Sequence, residues 1–598
     1  MDYPRFHVLD GQHPFRDAVP GGYVAYRARR RPGTRVVWFN FRLAAEMGLI
    51  PPGHPLELTT ALRRAIRETF ALTILNEFDL IHGTSVPARE MLPGTYMATR
   101  YLQMQHPSRR GTTSGDGRSI WNGTLRYRGR SWDISSCGTG VTRLCPATAA
   151  EGRYFQTGSD DASYGCGTAA LDEGMDTALM SEVFHRNGLA TERVLTILQD
   201  ADGFAIVVRA APSLFRPSHF MVHLKQGAHQ RLQAVADLFM ARQQENGNVP
   251  LLRSRPARYR RLATDMARTF GRLAAHLESE YIFCWLAWDG DNILTDGGII
   301  DYGSVRQFGL CHREYRFDDG PCFSTTLTEQ RRKARHLVQN FAQIRDFLIT
   351  GRKQPLHSYR HDPLLRLFDR EFARMRLRRL LFRVGFPEAM AHALLARRKK
   401  QVTAFLTAHA YFERARSARG PHPVSDGINW NAVFSTRDLL RELPRLLREG
   451  VTPSPRDILE LAWSSYATVE DRIPSPYRLH MARRLTRCYL QLLASAATLC
   501  GRTRGQVLAT VEKRSRLINR YARITGDSIT HAATALLEAR PKLSVTAWHR
   551  IIEQFISDQV LVPGHRQAAS ETALRPAAGA GGLLDQLNDL NEMFRHGL

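Results

Sequence analysis

Residues 281–303 read YIFCWLAWDGDNILTDGGIIDYG. Asp291-Asn292 ends a loop, a short apolar hairpin follows, and Asp301-Tyr302-Gly303 closes it nine residues after the Asn. Carboxylate and amide oxygens are the donors a hard cation prefers, and Mg²⁺ normally takes its other ligands from phosphate and water. Asp, Asn and Gly also build ordinary turns, so this stretch alone leaves a metal grip and a plain hairpin both open.

The surrounding chain narrows the choice. Its 598 residues are too many for one core and suit roughly two to four structural units. Hydrophobic content of 43% is ordinary for a globular protein. No run of about 18 apolar residues suggests a membrane span. The opening MDYPRFHVLDGQHPF lacks the apolar core of a secretory signal. Eight cysteines include no CxxC pair, so a zinc ribbon or disulfide scaffold is not expected and a reducing cytoplasm is. The net charge of +26 invites a polyanion: nucleic acid, nucleotide or anionic membrane. Only seven of the 83 basic residues are Lys, and no stretch interleaves aromatic and basic residues in the way that stacks bases. Nucleic-acid binding is therefore not expected as the main function.

Along the chain, residues 1–55 read as an irregular leader with one short strand and helix, and helical spacing covers Leu56–Leu80. Residues 94–210 read mostly as strands, with a helix at Asp172–Asn187 stopped by Gly188. Two β runs at 193–199 and 204–210 are joined by Asp200-Ala-Asp-Gly203, a hairpin signal. From about 218 helices dominate: 226–244, 257–279, 326–350, 363–385, 387–415, 436–448, 455–470 and 476–500, with more to about 560. The Arg-rich faces in 363–400 are expected to be solvated. Residues 564–582 are Ala/Gly-rich and expected to be flexible, with a short segment after them that could dock as a helix. The expected units are 1–93, 94–215, 216–350, 351–563 and 564–598.

This order is that of an α+β, protein-kinase-like bilobal fold: a small β-rich N-lobe with one helix, an edge hairpin, and a larger helical C-lobe, here with an additional helical C-terminal region. Kinases grip Mg²⁺ with an Asn ending the catalytic loop and an Asp after it. More specifically, residues 35–345 resemble the selenoprotein O (SelO, YdiU) family of kinase-like AMPylators. The motifs in register are Gly115-Asp116-Gly117-Arg118, Ser181-Glu182 through Gly188 to Arg193, and Arg209-Ala-Ala-Pro212-Ser213-Leu-Phe-Arg216 with His219-Phe220. Asp289-Gly290-Asp291-Asn292, Asp301-Tyr302-Gly303, and Tyr315-Arg316-Phe317-Asp318 with Pro321 complete them.

The resemblance implies transfer of AMP from ATP to Ser, Thr or Tyr hydroxyls of protein substrates, with the nucleotide flipped relative to kinases. It implies that Arg118, Arg209 and Arg216 hold phosphates beside Gly138 and Gly140, that Asn292 and Asp301 hold Mg²⁺ or Mn²⁺, and that Asp291 orients or deprotonates the acceptor. Arg is suited to this by its bidentate donor fork. The sequence also departs from the family. Cys137 stands at the position of a phosphate-binding Lys, and Thr177 at that of its partner Glu. Thr168, Asp172 and Asp176 replace three further Arg. Joint loss of Lys and Glu removes the cost of stranding either charge. Two other readings follow: a catalytically inactive nucleotide- or partner-binding module, and a kinase-type phosphotransferase.

Overall fold

Alternating apolar residues and two tight turns build an eight-stranded antiparallel sheet in the computed structural model. The structure describes residues 2–104, 106–161, 165–312, 314–316, 324–417, 422–423, 429–563 and 581–596. The strands are β1 (Tyr23–Arg30), β2 (Arg35–Phe39), β3 (Leu72–Ile74), β4 (Met91–Thr99), β5 (Ser119–Tyr127), β6 (Arg130–Cys137), β7 (Arg193–Gln199) and β8 (Ala205–Ala211). Their spatial order is β2-β7-β8-β6-β5-β4-β1-β3. The β5–β6 turn puts Arg128 and Gly129 at φ 47° and 75°, a conformation that matches the twist of the strands it joins. In the β7–β8 turn the Asp200 carboxylate accepts the Phe204 N–H at 2.9 Å. This hairpin is not at the edge, because β2 lies outside it.

Both faces of the sheet are covered, as the period-2 alternation of strands requires. Val207 faces a helix, α1 (Leu171–Arg186), packing with Met175 and Leu179. Its neighbours Ile206 and Val208 face the other way, onto Leu62, Ile66 and Phe70. Gly174 lets α1 approach β8: a Cβ there would stand 2.8 Å from Val207 Cγ2.

The leader and the first helix differ from expectation. The expected short strand and helix of the leader are β2 and a helix over Phe41–Glu46, and the leader adds a second strand, β1, where irregular chain was expected. The helix expected over Leu56–Leu80 spans only Thr60–Phe70. Leu72-Thr73-Ile74 then pairs with β1 as an edge strand, and a capping box at Asn76 starts a separate short helix. Tertiary pairing overrides helical spacing here.

The helical part begins with α2 (Ser218–Gln226), α3 (His229–Glu245), α4 (Arg255–Glu280), α5 (Leu327–Thr350) and α6 (Pro363–Val384). Ser254, Thr326 and Asp362 cap α4, α5 and α6 with their side chains, so these boundaries match the sequence closely. The expected helix 387–415 is two, Glu388–Arg397 and Lys399–Arg414, and that over 455–470 ends at Ala462. The Arg-rich face of α6 is not simply solvated. Arg376, Arg379 and Arg383 turn inward to Glu278, Glu280 and Glu413.

A second core lies between residues 377 and 511. The chain then returns: Trp548, Ile551 and Phe555 join the core that contains α1, and the His549 ring accepts the Phe39 N–H at 3.2 Å. A terminal helix, Gly581–Met593, buries Leu587 in the same core. The Ala/Gly-rich stretch 564–580 and residues 317–321 of the Phe-Asp…Pro motif lie outside the described residues. No helix among the described residues is long and apolar enough to cross a membrane.

Candidate functional site

α4 stops because Tyr281 turns left-handed, at φ 55°. Ile282–Phe283 then pairs with Arg306–Gln307 as a two-stranded ribbon. Everything between these strands forms one loop held against the sheet. The expected hairpin after Asn292 is a single bridge, Ile293 to Ile299, closed by Asp296-Gly297-Gly298.

This loop and the sheet enclose a cavity of about 90 Å³. Arg118, Arg209, Arg216, Asp291, Asn292 and Asp301 all line it, although they span almost two hundred residues of sequence. Cys137 and Thr177 line it too. Gly138 and Gly140 do not. Their N–H groups are bonded to Arg118 O at 2.9 Å and Gly167 O at 3.0 Å, so both serve the turn.

Each arginine in the cavity meets a carboxylate. Arg118 Nη2 donates to Glu173 Oε1 at 2.6 Å. Arg209 Nη1 lies 3.4 Å from Glu192 Oε2. Arg216 Nη1 donates to the carboxylate and the carbonyl of Asp291, both at 2.7 Å, and its guanidinium sits 4.8 Å over the Tyr101 ring. Glu173 lies one helical turn before Thr177 on α1. Arg118 on the Gly-rich turn and Glu173 on the helix thus form a charge pair in the wall that also carries Cys137 and Thr177.

The loop is wired by its polar side chains. Asp289 accepts the Met104 N–H at 2.6 Å and the Asp291 N–H at 3.1 Å. Asp291 Oδ2 accepts from the Gln103 amide at 3.1 Å. Burial raises the Asp291 carboxyl above its ordinary value, against the pull of Arg216. Burial, reinforced by Asp291, pushes Asp289 up to about 7. Burial also raises Glu192, against Arg209. Asp301 sits at φ 69°, a conformation a non-glycine residue keeps only when its surroundings hold it. Glu192 Oε1 supplies that hold by accepting the Asp301 N–H at 3.0 Å.

A second wire supports the arginines. His219 Nδ1 accepts the Arg216 N–H at 3.0 Å, so its proton resides on Nε2 and is donated to Thr99 Oγ1 at 3.0 Å. Thr99 in turn donates to Asp116 Oδ2 at 2.6 Å. Burial depresses His219 to about 3, consistent with a neutral ring. The Gly-Asp-Gly-Arg and His-Phe motifs therefore meet, and Asp116 is structural.

No group of three or more His, Cys, Asp or Glu side chains among the described residues is arranged to hold a metal. The donor chemistry that fits a hard cation is Asn292 with Asp301. Asn292 Nδ2 is committed to Trp285 O at 3.0 Å, which leaves its Oδ1 as the free donor. An amide oxygen and a carboxylate suit Mg²⁺ when phosphate and water complete the shell.

Sequence reasoning missed Glu173, Glu192, Gln103 and Tyr101. None of the four carried a local signal, because their roles depend on what faces them.

Part of the chain is similar in sequence to curated nucleotidyltransferases. A segment of the chain is 27% identical over 197 residues to a protein nucleotidyltransferase YdiU of Burkholderia thailandensis. It is 30% identical over 198 residues to one of Thioalkalivibrio sulfidiphilus, and 28% identical over 208 residues to one of Methylobacillus flagellatus. This chain is a divergent relative of the YdiU proteins. Each match covers 32% of the chain and 33 to 36% of the relative, so the chain spans about a third of the YdiU proteins it matches. No family model matches it.

Proposed function

We propose that the chain is a nucleotidyltransferase, using ATP to place AMP on Ser, Thr or Tyr hydroxyls of proteins, in a kinase-like cleft that holds the nucleotide flipped. The observation that carries this is the gathering of three arginines, Asp291, Asn292 and Asp301 around one cavity. The YdiU relatives, named for protein nucleotidyl transfer, support it. In the reaction the acceptor oxygen attacks the α-phosphorus, the bond from that phosphorus to the β-bridging oxygen breaks, and pyrophosphate leaves. The hydroxyl proton passes to Asp291, whose Oδ2 accepts from the neutral Gln103 amide and whose raised basicity suits the task. Asn292 and Asp301 would hold Mg²⁺ or Mn²⁺, which neutralises phosphate charge when bound. The arginines align the oligophosphate and stabilise the departing charge.

This reading requires movement. A cavity of about 90 Å³ is well below the roughly 300–1,000 Å³ of small-molecule sites, so the sheet and the loop must part and the arginines must leave their carboxylates. Kinase-like lobes divided near residue 216, and a cytoplasmic setting, belong to the same proposal.

The neutralised arginines, with Cys137 and Thr177 in the wall, favour a second reading: a module that binds nucleotide or a partner without transfer. ATP labelled at the α- or the γ-phosphate, incubated in parallel with candidate proteins and Mg²⁺ or Mn²⁺, separates the readings. Transfer of α-label alone is expected, and Asp301→Ala should abolish it. Transfer of γ-label alone would overturn the proposal in favour of a kinase-type phosphotransferase. Neither label, with a nucleotide-induced rise in melting temperature, would establish the binding module.

A further inference from the structure

Behind the wall of the cleft lies a larger cavity, of about 750 Å³. Residues 190–193 form the partition. Glu192 lines the cleft, whereas Thr191 and Arg193 line the cavity behind it. The other walls are the β5–β6 turn, the segment after α3, and one face of α4 that presents Arg261, Asp265, Arg268 and Arg272 at helical spacing.

The charges of this cavity are unbalanced. Asp265 is its nearest counter-ion, and Arg261 takes it at 2.6 Å, leaving Arg268 at 3.9 Å from the same carboxylate. Arg193 is committed to Glu182 and Glu46, and Arg272 reaches Glu371 outside the cavity at 3.4 Å. Arg128 and Arg130 have no carboxylate within ion-pair distance among the described residues. They lie only over rings, Arg128 5.2 Å from the Tyr127 centroid and Arg130 4.7 Å from that of Trp132. Three guanidiniums thus lack a carboxylate of their own; the further acid in the wall, Asp296, accepts the Gly298 N–H at 3.2 Å and feels Arg130 from beyond ion-pair distance.

The turn that carries two of them is itself costly. Arg128 occupies a left-handed position at φ 47°, where Asn or Gly is cheaper by about 1 kcal/mol or more. Its side chain is exposed, and its contact with the Tyr127 ring leaves the guanidinium edge open to a ligand. The planar guanidinium fork matches phosphate oxygens in pairs. A volume of about 750 Å³ falls within the roughly 300–1,000 Å³ of small-molecule sites.

We infer that this cavity is a second binding site, for an oligophosphate, held by Arg128, Arg130 and Arg268 and separate from the cleft. The oligophosphate has two possible sources, free pyrophosphate or the polyphosphate of a nucleotide. This site stands on its own charges and does not depend on the transfer reaction.

The test is calorimetric titration of the full chain at low salt with EDTA present, using pyrophosphate and ATP in separate arms. Arg128→Asn/Arg130→Gln keeps a residue suited to the left-handed turn, and its melting temperature should equal that of the parent. Metal-free binding is expected in at least one arm, weakened tenfold or more in this double variant and retained in Arg209→Gln. Binding of pyrophosphate alone assigns the inorganic ligand, and tighter binding of ATP assigns a nucleotide. Equal affinity in the double variant and the parent overturns the inference, whatever Arg209→Gln does. So does absence of binding in both arms, or binding of an oligo-glutamate peptide in their place. Because the readout is metal-free binding mapped to the turn, its failure is distinct from failure of α-label transfer.

Discussion

At the scale of single residues, Arg118 and Glu173 show how the wall of the cleft is held together. Their 2.6 Å contact joins the Gly-rich turn to α1 in the cavity that Cys137 and Thr177 also line. The Glu173 carboxylate holds the guanidinium that the proposed reaction needs for phosphate, and it adds negative charge where an anion must enter. Glu173→Gln should therefore tighten ATP binding, by roughly three- to tenfold, at a stability cost of about 1 kcal/mol for a partly exposed pair. Titration of ATP with Mg²⁺ against both proteins checks this; weaker binding in the variant would show that Glu173 positions Arg118 rather than competes for it. Asp291, Asn292 and Asp301 were legible because their spacing and donor types are local properties of one loop. Glu173 and Glu192 were not, because a carboxylate becomes part of a site only through what faces it.

At the scale of elements, α1 is clasped to β7 by a buried pair. Arg193 Nε donates to Glu182 Oε1 at 2.6 Å, and both side chains are almost wholly buried. Burial opposes ionisation of Glu182, yet Arg193 and Arg186 outweigh it and hold the carboxyl at about 2. Asp133 is held at about 2 in the same way, by Arg242 and His13 against its burial. A carboxyl depressed by folding stabilises the fold above its unfolded pKa, and that stability is lost as pH falls toward the folded value. For Glu182 the window runs from about 4.5 to about 2 and the contribution is about 3 kcal/mol. Urea unfolding at several pH values should show a plateau above about pH 5 and a steep loss below it. Glu182→Gln should be less stable at neutral pH and flatter through the acid window; an unchanged acid slope would remove Glu182 from the account. The capped helices α4, α5 and α6 were readable to within about two residues because caps are local signals. The stretch Leu72–Ile74 was not, because its partner strand lies more than forty residues away.

At the scale of the whole molecule, the C-terminal half holds the loop of the site in place. Glu280, the last residue of α4, is surrounded by Arg379, Arg437 and Arg523, and Tyr281 donates to Glu413 Oε1 at 2.5 Å. Part of the basic charge is thus spent inside the fold. The terminal segment completes the assembly: Leu587 is fully buried, Thr525 donates to Phe594 O at 2.6 Å, and the His596 ring lies 3.1 Å from Asp438. Deleting residues 581–598 should cost about 2 to 4 kcal/mol, from one buried leucine and the lost polar contacts, and should lower the melting temperature. An unchanged melting temperature would mean that this helix is dispensable to the fold.

The α+β order and the capped helices follow from the amino-acid sequence alone, since turn chemistry, periodicity and caps act over a few residues. Which carboxylate each arginine meets is set by the folded chain. Arg118 and Glu173 are 55 positions apart and Arg216 and Asp291 are 75 apart. At such separations the fold, and not the local chain, brings the charges together.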